Sequence, residues 1–410
     1  MADFEQEEGD LTIDPSEVIQ VIELNDDGDG SGDPSNVNDD SGLSDEDADE
    51  NEEMDTDEAA AGPVQDDSAL TFLGHHNDAV ICTEISPVNS HLVITGGQDD
   101  QALVWNSRDG SVMFQCTGHT DTVVSVGFSF DGSFVATADM KGMIKVWKVE
   151  TGTEVWSFEV SDIEWLQWHQ AAPVLLVGTK EGQVWMWKIP SGDCKTFVGY
   201  GPSALCGRIL PDGKRAYVGY DDGAVKVWDL KSTEAVFTVS GHDGHKEPVF
   251  CMDHNNDGSL IMSGSGDMTV KIISTVNGKV VATLKCTESD GDEDSVETVG
   301  FCKTHEYVAT GTLSGNLEIW NLPSKSVRHR CDHPYGIVKL RWSASSPILY
   351  TVCLDGCVRQ FDGRNGQLMR MWQGHSAGIL DFDIARDESF IVTASDDFTA
   401  KVFSLADAPR

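Results

Sequence analysis

Short runs of alternating apolar and polar residues, broken by Gly- and Asp-rich turns, recur along most of the chain. Residues 119–147, HTDTVVSVGFSFDGSFVATADMKGMIKVW, show the unit. Val124, Val126 and Phe128 alternate as one strand, and the Asp131-Gly132 turn reverses the chain. Phe134 to Thr137 forms a second strand, Met143 to Trp147 a third, and Glu154 to Phe158 an outer fourth. The third strand of each unit ends in an aromatic or branched residue, at Trp105, Trp147, Trp187, Trp228, Ile273, Trp320, Phe361 and Phe403. The intervals are 42, 40, 41, 45, 47, 41 and 42 residues. That spacing is the period of a four-stranded propeller blade. Residues 69–410 are therefore predicted to form an all-β, eight-bladed β-propeller.

Seven outer strands are evident, at Val112 to Cys116, Glu154 to Phe158, Cys194 to Val198, Ala235 to Val239, Val280 to Leu284, Ser326 to Arg330 and Leu368 to Trp372. Only seven residues follow Phe403, too few for an eighth. The segment 69–73, ALTFL, resembles the outer strands and precedes the first repeat. It is predicted to complete the last blade beside the strand ending at Phe403. Such closure removes the exposed sheet edges that invite aggregation.

Charge divides the chain unevenly. Of 69 acidic residues, 26 lie in residues 1–68, a stretch without Lys or Arg; the remaining 43 face 28 basic residues, the first being Arg108. A segment so acidic and so poor in aromatics cannot bury enough apolar surface to offset ordering, so 1–68 is predicted to be a disordered acidic tail. Within it, Val18, Ile19, Val21, Ile22 and Leu24 read either as a short docking motif or as a chance apolar patch. Ten singly spaced cysteines and the absence of a basic, apolar leader point to a reduced cytoplasmic or nuclear protein. No apolar run is long enough to span a bilayer.

The first repeat holds His76, Thr95, Asp99 and Trp105 at the offsets of a polar tetrad. With the 40-residue period, these residues identify the chain as a member of the WD-repeat family. The resemblance implies a buried relay from Trp through the hydroxyl and His to Asp, useful only when every member is bonded. The other repeats are partial copies. His119, Thr137 and Trp147 are present, with Lys141 in place of the Asp. His245, Ser263 and Asp267 lead to Ile273; His333, Thr351 and Asp355 to Phe361; His375, Thr393 and Asp397 to Phe403. The third, fourth and sixth repeats are weaker, with Glu181, Asp222 and Ser314 at the Asp position. The strings EVWSFE (154–159), WMWK (185–188) and LPDGKRA (210–216) are similar to a branch of the family. Its fungal relatives resemble dedicated escorts of a newly made large-subunit ribosomal protein, and the likeness implies a basic protein client.

No residue set for catalysis is visible. Five of twelve histidines fill tetrad positions, and neither a nucleophile elbow, a phosphate loop nor a zinc-protease helix occurs. No cofactor is expected. Asp27, Asp29, Ser31 and Gly32 open like a calcium loop, but Asn38 stands where the bidentate Glu would be needed, so no metal is expected either. The anionic surface disfavours nucleic acid and suits a basic protein. Loops leading into the innermost strands, with turns between second and third strands, converge on one face. The candidate partner-binding residues there are Asp78, Asp121, Asp162, Glu164, Asp221, Glu247, Glu297 and Asp396, with Trp165 as an aromatic contact that could equally be core. Tyr335 and the acidic loop from Thr287 to Asp294 lie on the same face. The leading reading is a monomeric, non-enzymatic chaperone in ribosome biogenesis whose tail speeds encounter. Rival readings are a signalling scaffold in cell migration and a ubiquitin-ligase adaptor.

Overall fold

The structure, a computed structural model, describes residues 65–197, 199, 201–286 and 294–406. The predicted tail to residue 64, its apolar motif, its calcium-like string and most of the 287–294 loop lie outside them. Within the described residues, eight four-stranded antiparallel sheets follow one another as blades. The innermost strands are Val80–Ile85, Val123–Phe128, Ile163–Trp168, Ala204–Ile209, Val249–His254, Val296–Phe301, Ile337–Trp342 and Ile379–Ile384, for blades 1 to 8 in order.

The latch forms as the sequence predicts. Leu70–Phe72 is the outermost strand of blade 8, pairing Leu70 with Val402, Thr71 with Lys401 and Phe72 with Ala400. The attachment extends upstream of that strand into Asp66 and Asp67, which the sequence reading assigned to the disordered tail. Asp67 exchanges bonds with Gln373, N–H to carbonyl at 2.8 Å and carboxylate from the Gln373 N–H at 2.9 Å. The Asp66 carboxylate accepts from Lys401 Nζ at 2.6 Å.

Each blade is sandwiched, so the second strands are buried almost throughout, as in Leu92–Gly97 and Phe390–Ser395. The core consequently lies between blades. Ile94 and Val104 of blade 1 pack with Val123, Phe128 and Trp147 of blade 2. Phe72 and Val402 of blade 8 pack with Ile85, Leu103 and Trp105 of blade 1. Each fully buried aliphatic or aromatic side chain contributes about 1.5–3 kcal/mol. Close approach needs glycine in the second strand: a Cβ on Gly96 would stand 2.7 Å from Val123 Cγ1 of the next blade.

Around the central channel a second set of links joins every blade to the next. Four are side-chain acceptors for the N–H that ends the next inner strand. Gln167 accepts from Ile209 at 2.8 Å, Asp253 from Phe301 at 2.8 Å and Asp383 from Ile85 at 2.9 Å. Glu84 accepts from Phe128 in the same way. Trp168 and Trp342 donate Nε1–H to the carbonyls of Gly127 and Gly300 at 2.9 and 3.0 Å. Ion pairs complete the circle: Arg208 with Asp253 at 3.7 Å, and Arg341 with Asp383. All these side chains descend from the fifth or sixth position of their strand.

Burial, reinforced by the charge of Asp383, pushes the Glu84 carboxyl up to about 8. Because the folded value exceeds the unfolded one, Glu84 supports folding at low pH, and that support is lost as pH rises through about 8. Glu84→Gln keeps an acceptor, the choice blade 3 makes with Gln167, and removes the charge. It should match the parent at pH 5 and exceed it by at least about 1 kcal/mol at pH 9 in denaturant unfolding. Asp383→Ala strands both the Arg341 guanidinium and the Ile85 N–H, and should cost about 3 kcal/mol in the same assay.

Candidate functional site

One face of the ring is set by eight equivalent backbone bonds. In each blade an N–H of the turn between second and third strands donates to the carbonyl just before the inner strand. Gln98 to Ala79 (2.8 Å), Lys180 to Asp162 (2.9 Å) and Asp396 to Gly378 (3.0 Å) are examples. The bond brings the two loop types together, as the sequence predicts, and fixes which carboxylates share the face.

The polar tetrads stand directly beneath. In blade 1, His76 Nδ1 lies 3.0 Å from Asp99 and Nε2 lies 2.9 Å from Thr95 Oγ1. A carboxylate can only accept, so Nδ1–H donates to it and the Thr95 hydroxyl donates to Nε2. The relay is not whole, however. Trp105 Nε1 is buried without a partner, and the indole stacks on Phe72 of the latch at 4.4 Å. Blade 2 holds the complete relay: Trp147 to Thr137 at 3.3 Å, Thr137 with His119 at 2.7 Å, His119 with Asp139 at 3.0 Å. Lys141 is thus no replacement, because Asp139, two residues earlier and fully buried, supplies the carboxylate. In blade 7 the expected Asp355 bond is absent. His333 Nδ1–H donates to the Cys331 carbonyl at 2.9 Å, while Asp355 pairs with Arg359. Burial lowers the His333 imidazole to about 4. Blade 4 substitutes a hydroxyl the sequence reading did not foresee, Tyr220, which accepts from Trp228 at 3.2 Å.

Burial alone would raise Asp99, Asp267 and Asp397, but the bonds from His76, His245 and His375, together with backbone N–H groups and, for the last two, the Thr269 and Thr399 hydroxyls, outweigh it and leave all three below the ordinary carboxylate value. These charges are consumed internally. On the rim, Asp162, Asp221, Glu247 and Asp396 are exposed, and Asp78 and Asp121 are half-exposed. Asp121 pairs with Lys141 at 3.2 Å and Asp162 with Lys180 at 3.6 Å, both in exposed geometry where such pairs contribute little. Tyr335 is 60% exposed, flanked by the exposed Leu313 and Leu354. Trp165 is corrected to core. It is 8% exposed and fills the gap between blades 3 and 4, where a Cβ on Gly178 or Gly207 would overlap its indole.

Glu164 and Glu297 occupy a different place from the rim residues. Every inner strand slips register between its first and third residues, leaving the second as a β-bulge. A bulge re-aims its side chain. The bulged residues are apolar in six blades, Ile81, Val124, Leu205, Phe250, Val338 and Leu380, and acidic in two, Glu164 and Glu297. All but Leu205 line the central cavity of about 980 Å³. Burial, with Asp162 and Asp221 nearby, raises the Glu164 carboxyl above its ordinary value despite Lys180. Among the described residues, no cluster of His, Cys, Asp or Glu is placed to hold a metal ion, and no helix is long and apolar enough to cross a membrane.

The WD domain, G-beta repeat pattern matches residues 67–106, 110–148, 193–229, 234–274 and 366–404. Human angio-associated migratory cell protein is 47% identical over 350 residues, covering 83% of this chain and 80% of the human protein. The chain belongs to this WD-repeat family. The ribosome assembly protein SQT1 of Saccharomyces cerevisiae is 25% identical over 87% of the chain and 91% of its own length. A crystal structure of Chaetomium thermophilum Sqt1, bound to the N-terminus of ribosomal protein L10, superposes with a TM-score of 0.75 at 21% identity. It covers 83% of this chain and all of that one. The gaps in the repeat match include blades 3, 6 and 7, where the relay is incomplete or rewired.

Replacing Asp139 by Ala leaves His119 Nδ1–H and the Met143 N–H, bonded to Asp139 at 3.0 Å, without a buried acceptor. Thermal unfolding should show a loss of about 2–4 kcal/mol, whereas Lys141→Ala should stay within about 0.5 kcal/mol of the parent.

Proposed function

We propose that the protein is a chaperone-like binding protein whose anionic face holds a basic segment of a newly made ribosomal protein. The observation that carries this is the partition of its carboxylates. Those under the rim are spent on histidines and backbone, while Asp162, Asp221, Glu247 and Asp396 remain exposed around one mouth of the ring. Lys and Arg side chains find charge pairing there and an aromatic contact at Tyr335. The assembly function in the yeast relative's name and the ribosomal-protein segment bound by the Chaetomium relative support the same client class. The proposal places the protein in the cytoplasm or nucleus, where such clients are made and assembled. The name of the human relative supports a second reading, a scaffold in cell migration.

Calorimetric titration with basic N-terminal segments of large-subunit ribosomal proteins tests the first reading. Asp162→Asn, Glu164→Gln and Asp221→Asn together should weaken binding about tenfold or more at low salt and flatten its salt dependence. Unchanged affinity would remove the face from the account. Removal of residues 1–64, sparing Asp66 and Asp67 of the latch, should slow association and leave the complex intact. Loss of every stable partner on that deletion would favour the scaffold.

A further inference from the structure

We propose that the mouth of the central channel is a subsite for one long cationic side chain of the client, its stem lying against the apolar bulge residues and its head held by Glu164 and Glu297. This rests on the reading of the face as a receptor for basic segments and specifies how one residue of the segment is chosen.

The bulges are the first ground. All eight inner strands break register at the same level, and seven of the side chains so re-aimed, all but Leu205, form a collar at the entrance of an approximately 980 Å³ cavity. A collar apolar in five of seven positions repels a hydrated charge but accepts methylenes. Lys and Arg stems are built for that, burying carbons while the charged head finds polar partners. Phe250, 40% exposed in this collar, offers a ring face to a cation.

The available carboxylates are the second ground. Glu164 makes no hydrogen bond or ion pair with any described residue, although it is half-buried. Glu297 is bonded by the Ser295 hydroxyl at 2.5 Å and pairs with no cation among the described residues. Deeper in the channel the charges are already matched. Lys339 is paired with Asp381, Arg341 with Asp383 and Arg208 with Asp253, while Lys303 donates to the His254 carbonyl. Glu84, the other carboxyl lining the cavity below the collar, is in no ion pair among the described residues, and burial holds its proton at neutral pH. A guest cation therefore meets free negative charge at the collar, which sets the depth of insertion at about one side chain.

Stem length is the property that separates this subsite from general attraction to an acidic rim. The probes are two acetylated, amidated octapeptides with full-length protein at low salt. One alternates arginine with alanine. The other replaces each arginine by 2-amino-3-guanidinopropionate, the same guanidinium on a shorter stem. The arginine peptide should bind at least about tenfold tighter, and the preference should vanish in the isosteric variant Glu164→Gln with Glu297→Gln. The rim variant Asp121→Asn with Asp396→Asn, equal in charge change, should weaken both peptides and keep the preference. Equal binding of the two peptides, or a preference that survives in the collar variant, overturns the subsite and leaves the acidic-face reading standing. Failure of both peptides to bind overturns that reading and the subsite with it.

Discussion

The bond from a side chain near the end of one inner strand to the backbone of the next holds the architecture together. An inner strand has no sheet neighbour on the channel side, so its end would present unpaired N–H groups inside the ring, each costing roughly 1–3 kcal/mol if left without a partner. Glu84, Gln167, Asp253 and Asp383 meet four of these groups in the following blade, and Asp383 does so across the point where the chain closes. The latch at Leu70–Phe72 seals the outer circumference at the same junction. Closure is thus enforced twice, by a strand at the periphery and by side chains at the axis.

That construction decides which charges are available for binding. Net charge alone, −41, says little. Asp99, Asp139, Asp267 and Asp397 are tied to histidines, and Asp253, Asp381 and Asp383 to channel cations. On the face built by the paired loops, a ring of rim carboxylates and two more at the channel mouth stay accessible. The mouth residues owe their direction to bulges, and the bulges lie just above the linked ends of the same strands. Axis and entrance are one design.

The period and the strand alternation were legible because a four-stranded unit imposes both on the sequence. The latch was legible by counting, one strand short at the end and one spare at the start. The rim carboxylates followed from loop type. What escaped depends on contacts between blades. Asp139 was missed because a carboxylate two residues upstream, at the end of the second strand rather than in the turn, reaches the imidazole that the expected position would. Trp165 is core because glycines at 178 and 207, in two other strands, leave room for its indole. Trp105 sits at the tetrad offset yet stacks on Phe72, a pairing set by the closing strand. The distinction between rim and mouth for Glu164 and Glu297 required the bulge, which depends on the partner strand's register.

Native-state hydrogen exchange of the Ile85, Phe128, Ile209 and Phe301 amides tests the central claim most directly. If the axial links hold the ring closed, all four exchange only with global unfolding, and Asp383→Ala releases Ile85 first. Exchange of these amides at independent rates, each tracking the opening of its own blade and indifferent to Asp383, would contradict it.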